Sequence, residues 1–163
     1  MINNKSFTLI EVFIAMFLLT VGTVGAIYAI VRVIEVTEVS SSQLIASYLA
    51  QEGIEIVRNI RDGNWLEGSV WDTGLTGCEP TGVGCQADYT NTQSLVSFTG
   101  DPLNIDGGFY SYLTGTPTIF QRKITIEEVP VDTLEVIVWV GWTERGKSYS
   151  VTAQANLYKW LGQ

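Results

Sequence analysis

The sequence predicts an α+β fold in which a long N-terminal helix packs on a C-terminal antiparallel β-sheet. Three observations carry this. Twenty consecutive residues, 12–31, hold no charge, and no proline interrupts the chain from there to residue 61. After residue 118, apolar and polar residues alternate in three separate stretches, the period of half-buried strands. Between these regions, residues 62–117 are rich in Gly, Thr, Asn and Asp and keep no period.

The helix is predicted over residues 7–61. Its first part, residues 7–34, is apolar enough to cross a membrane, since twenty helical residues span about 30 Å, the thickness of a bilayer core. Further along, Ile45, Leu49, Ile56 and Ile60 recur at helical spacing and fall on one stripe. Gln43, Ser47 and Gln51 lie on other faces, and Glu38, Glu52, Glu55, Arg58 and Arg61 suit a solvated or partner-facing side. Gly53 should weaken the helix by about 1 kcal/mol relative to Ala. Asp62-Gly63-Asn64 reads as the stop signal. One helix of this length would measure about 80 Å. Its first half is too apolar for a soluble monomer and calls for lipid or neighbouring helices. Gly22 and Gly25, with Ala26 and Ala29, either let helices approach closely or reflect ordinary membrane-helix composition.

Residues 62–163 are predicted to form one globular domain. Residues 62–117 read as a long irregular connection with short strands. Trp65, Trp71, Tyr89, Phe98, Phe109, Tyr110 and Tyr112 should pin it to the sheet or helix, a reading preferred over a sugar-binding platform. Residues 118–160 read as a three-stranded meander. Phe120, Ile124 and Ile126 mark the first strand, Leu134 to Trp142 the second, and Tyr149 to Leu157 the third. Val129-Pro130-Val131-Asp132 and Glu144-Arg145-Gly146-Lys147 are the predicted turns. The sheet's apolar face is the natural partner of the helix stripe.

Composition excludes several function classes. The chain carries a formal net charge of -8 and a pI of about 4.4. No cluster of Lys or Arg offers phosphates a binding surface, so nucleic acid is not an expected partner. The absence of histidine removes Ser-His-Asp and Cys-His arrangements and His-based zinc sites. No P-loop, dinucleotide fingerprint or nucleophile elbow is present, and the chain reads as a non-enzyme. Asp101, Asn104 and Asp106, just before Gly107-Gly108, are oxygen donors of the kind calcium takes. Their spacing is not that of an EF-hand, and solvated loop residues are the simpler reading, so no cofactor is expected. Cys78 and Cys85 sit among Gly77, Pro80, Gly82 and Gly84, a loop flexible enough to close a disulfide. The pair is expected to be oxidised, which implies an extracytoplasmic compartment, with two free thiols as the alternative.

Glu11 is the only acidic residue in the stretch 7–34. A carboxylate at the head of a membrane helix costs a few kcal/mol unless it finds a partner. A conventional signal peptide, with Thr23-Val24-Gly25 as its cleavage site, and a plain uncleaved anchor both leave Glu11 unexplained. Arg32 lies about 30 Å away along the helix, too far to serve. If the chain is cut between Ser6 and Phe7, a new α-amine arises four residues before Glu11. On a neighbouring helix that amine could neutralise the carboxylate and set the stagger between subunits. Lys5 in the leader keeps the N-terminus cytoplasmic and the remainder translocated, by the positive-inside rule.

Lys5-Ser6-Phe7-Thr8-Leu9-Ile10-Glu11-Val12, followed by an apolar helix, resembles the prepilin cleavage and methylation signature of type IV pilins and pseudopilins. The resemblance covers about thirty residues. It implies a leader of residues 1–6, cleavage before Phe7 by prepilin peptidase, N-methylation of Phe7, and a role for Glu11 in assembly. It also implies other pilin subunits as partners and a long helix packed on a sheet. The family usually has Gly before the cut. Ser6 departs from this but is small, so cleavage is expected, at a lower rate. Residues 7–16 look closer to minor pilins and pseudopilins than to major pilins. Many pilins have a proline in the first half of this helix, where this chain has Gly22 and Gly25.

Two function classes follow. The first is a filament subunit, held in the cytoplasmic membrane before assembly and outside the cell or in its envelope afterwards. The second is a single-pass, membrane-anchored extracytoplasmic binding module with no assembly role.

Overall fold

The computed structural model describes residues 8–129 and 132–159. It contains one helix and eight strands: α1 (Leu9–Glu67), β1 (Cys85–Gln86), β2 (Val96–Ser97), β3 (Asn104–Asp106), β4 (Phe109–Ser111), β5 (Thr116–Pro117), β6 (Phe120–Val129), β7 (Thr133–Glu144) and β8 (Lys147–Tyr158). The α+β class is as the sequence predicts. The chain forms two compact units, one through Ser41 and one from Ser42 onward.

In the first unit α1 is apolar on all sides, and its large hydrophobic side chains are exposed. In the second unit α1 buries Ala46, Leu49, Ala50, Gly53, Ile56, Val57 and Ile60. The predicted Leu49, Ile56 and Ile60 are among them, and Ile45 packs at the margin. The centre of the stripe, however, is made of small residues. A Cβ on Gly53 would lie 2.7 Å from Cγ1 of Val138 in β7, so this glycine lets helix and sheet approach closely.

The helix does not stop at Asp62-Gly63-Asn64. It continues to Glu67 and ends at Gly68, whose φ of 70° is left-handed. The Gly68 N–H donates to Trp65 O (3.2 Å), and the Ser69 N–H donates to Asn64 O (2.8 Å). This Schellman pair satisfies the last carbonyls, which a glycine in that conformation permits. Asn64 extends the helix rather than breaking it, because its amide donates to Trp71 O (3.1 Å) and Thr73 O (2.9 Å) in the following loop.

The main sheet has five strands, ordered β2-β1-β6-β7-β8 and antiparallel throughout. The predicted three-strand meander is β6-β7-β8, at the predicted positions. The two added strands are only two residues long and leave no period to read. β1 joins through Cys85, which pairs with Ile124 and with Ser97. The register stacks Phe120, Trp142 and Tyr149 in one row, and Ile124, Val138 and Ala153 in another. Arg145 and Gly146 both have positive φ (51° and 76°), the twist a two-residue hairpin needs. A second sheet, β4-β3-β5, lies within the connection that the sequence leaves irregular.

Six of the seven expected aromatic pins divide into two groups, and the seventh, Phe98, is half-buried. Trp65 and Trp71 are buried, and Tyr110 and Tyr112 pack on the core. Tyr89 and Phe109 are exposed and meet only at the surface, with centroids 5.5 Å apart.

Candidate functional site

The candidate site is the start of α1. Ser6 and Phe7, the predicted cleavage and methylation positions, lie outside the described residues. Thr8 caps the helix: its Oγ1 accepts from the Glu11 N–H (3.3 Å), and its carbonyl accepts from Glu11 N (3.1 Å) and Val12 N (3.2 Å). Glu11 therefore occupies the third helical position, where a carboxylate opposes the positive end of the helix dipole. Thr8-Leu9-Ile10-Glu11 is a capping-box spacing, a signal legible in the sequence that supplies Glu11 with a local role of its own. Among the described residues, no cation pairs with Glu11. Arg32 is engaged elsewhere, with Glu35 Oε2 at 3.1 Å and the Tyr28 hydroxyl at 2.9 Å.

Beyond Glu11 the helix presents hydrocarbon. Phe13, Phe17, Leu19, Val24 and Ile30 are each more than half exposed, Leu19 by 73%. The segment is long and apolar enough to cross a membrane. Its few polar side chains are satisfied within the helix: Thr20 Oγ1 donates to Met16 O (2.8 Å) and Thr23 Oγ1 to Leu19 O (2.6 Å). That removes the cost of placing a free hydroxyl in lipid. Nothing lies within 4 Å of a Cβ built on Gly22 or Gly25, so the notch they make is open.

The second unit holds a polar cluster that the sequence reading passes over. Arg122 sits at an apolar-phase position of β6 and is fully buried. Its guanidinium donates to Leu49 O (3.0 Å), Glu52 Oε2 (2.8 Å) and Ala87 O, joining α1, the sheet and the loop after β1. Glu52 and Arg61, read above as suited to a solvated or partner-facing side, are instead engaged within the second unit. Glu52 is the ion-pair partner of Arg122. Arg61 is buried, with its guanidinium 4.7 Å from the Trp65 ring centroid. The Tyr112 hydroxyl donates to Arg122 O (3.0 Å), and its N–H donates to Asp88 Oδ2 (2.8 Å). Burial pushes Asp88 up, but hydrogen bonds from Thr90 and Tyr112, with the charge of Arg122, outweigh it and hold the carboxyl below its ordinary value. Burial pushes the Tyr112 phenol up, against the pull of Arg122. The only sequence signal was a charge at a core-facing position of an alternating strand.

Cys78 and Cys85 form the expected disulfide, with Cα atoms 5.2 Å apart and both residues buried. The Ile126 N–H donates to Cys78 O (2.9 Å), which fastens the loop to β6. Asp101, Asn104 and Asp106 are not assembled into a metal site. Asp101 Oδ2 accepts from Thr99 Oγ1 (2.7 Å), and Asn104 and Asp106 belong to β3. Among the described residues, no group of three His, Cys, Asp or Glu side chains is placed to hold a metal. In comparisons with known proteins, the chain matches no protein-family model, no curated protein and no solved structure.

Proposed function

We propose that this chain is a structural, non-enzymatic subunit of a type IV pilus or pilus-like filament, a minor pilin or pseudopilin rather than a major pilin. On this reading prepilin peptidase removes residues 1–6 and methylates Phe7. The protein waits in the cytoplasmic membrane with its C-terminus outside. It then assembles through α1 with other pilin subunits into an extracellular or envelope filament. The observation that carries it is a helix exposing hydrocarbon on every side from residue 9 to 36, headed by one carboxylate that no described cation neutralises. Such a surface demands lipid or other helices. A carboxylate beside it is tolerable with a cation nearby, which the freed amine of a neighbouring Phe7 would supply.

The test is Glu11→Gln, followed in sheared filaments and in membranes. The variant should insert, lose residues 1–6, gain one methyl group by intact mass and fold, but be depleted from the filament fraction. Recovery of the variant in filaments at the wild-type level would remove Glu11 as the assembly determinant. The capping geometry of Thr8 and Glu11 favours a second reading, a single-pass anchored binding module in which Glu11 only starts the helix. Wild-type protein that keeps residues 1–6 and enters no filament fraction would establish that reading instead.

A further inference from the structure

We infer that the outer face of the main sheet carries a binding site for a neutral sugar unit, built on Trp139. On the face of β7 opposite α1, the indole of Trp139 lies against the backbone at Gly141. A Cβ there would fall 2.1 Å from Cη2 and 2.3 Å from Cζ2 of the ring. Glycine at 141 thus lets the ring lie down along the strand and turn one face outward. The ring borders a cleft of about 450 Å³ shared with Gln121, Trp142, Thr143 and Ser148, and Trp139 and Gln121 also line a second cleft of similar size. None of the described residues lining the first cleft is charged, in a chain with 26 charged side chains, 17 acidic plus 9 basic. A charged ligand would find no counter-charge there.

The polar side chains lining the first cleft are of one kind, amide and hydroxyl, while Lys123, the cross-strand neighbour of Trp139, lines the second. Gln121 Nε2 donates to Gly100 O, which orients the amide and leaves Oε1 as a free acceptor. Thr143 Oγ1 and Ser148 Oγ share a 3.3 Å hydrogen bond at the rim. Trp142 and Tyr149, stacked at 5.5 Å, also border the cleft, but the Trp142 ring belongs to the core face of the sheet beside Phe120. A pyranose offers what this set lacks: an apolar C–H face for the indole and hydroxyls that both donate and accept. A proline-rich peptide would also stack on aromatic rings. However, proline has no N–H for the Gln121 acceptor, so a sugar is the better match.

The site can be tested on the full chain in a sugar-free detergent such as lauryldimethylamine oxide. Saturation-transfer NMR would be run with maltose, lactose, cellobiose and diacetylchitobiose, up to roughly 10 mM, where a millimolar Kd gives most of its signal. At least one should bind saturably. Trp139→Ala should weaken it at least about tenfold, the scale expected for losing an aromatic anchor, whereas Trp139→Tyr should retain it. Circular dichroism would verify that both variants are folded. Failure of all four sugars to bind wild-type protein, or equal binding by folded Trp139→Ala, would overturn the site. Saturable binding of decaproline with no sugar binding would reassign it to a peptide.

Discussion

Arg122 shows how one side chain can hold three elements together. Removing its charge from water is expensive, and the structure offsets this with two carbonyls and Glu52. Arg122→Ala would leave Ala87 O without this donor, take the second donor from the helical Leu49 O and open a cavity between α1 and the sheet. The expected loss is about 3–5 kcal/mol, read as a lowered midpoint in chemical denaturation followed by tryptophan fluorescence. Glu52→Gln keeps an acceptor at a partly exposed position and should cost about 1 kcal/mol. Equal losses for the two variants would show that the ion pair, rather than the buried guanidinium with its carbonyls, carries the effect. Glu11 contrasts with Arg122. Its exposed position offers it only a helix cap within the described chain, so the assembly role proposed for it rests on a neighbouring chain.

At the scale of elements, the two glycines near the end of α1 make opposite predictions. Gly53 faces Val138 across the helix–sheet contact, and an added methyl would meet a stiff β-branched side chain at 2.7 Å. Gly53→Ala should destabilise by about 1–3 kcal/mol through overpacking, despite the better helix propensity of alanine. Gly63 has open space around it, so Gly63→Ala should stabilise by roughly 1 kcal/mol. Thermal unfolding of both variants beside the wild type gives the comparison. A stabilising Gly53→Ala would mean that the sheet yields at Val138. Helix propensity gives both glycines the same penalty, since propensity is a property of the helix and close approach is a property of the pair.

For the whole molecule, the disulfide is a cross-link confined to the second unit. It closes a loop with a sequence separation of 7, for which the chain-entropy model gives roughly 2–3 kcal/mol. Reduction with dithiothreitol should lower the unfolding midpoint of the β-rich unit accordingly. Both sulfurs are buried, so alkylation of the native protein without reductant should label neither cysteine. Labelling of both would refute the cross-link.

Local pattern determined much of this fold. The helix of the first unit follows from an uninterrupted apolar run. The strands β6, β7 and β8 follow from alternation, which is a property of consecutive residues. The Cys78–Cys85 pairing follows from two cysteines in a short glycine-rich loop. Tertiary structure alone decided the rest, because each remaining feature depends on residues far apart in the chain. The two-residue strands β1 and β2 exist only because β6 offers β1 an edge and β1 in turn offers one to β2. The helix runs past Asp62-Gly63-Asn64 because Asn64 finds carbonyls at Trp71 and Thr73. Arg122 is tolerated in the core because Leu49, Glu52 and Ala87 converge on it from 35 to 73 residues away. Trp139 becomes a platform because Gly141, on the same face of its strand, leaves room for the ring. Periodicity records which side of an element a residue occupies. What that side meets is set by packing.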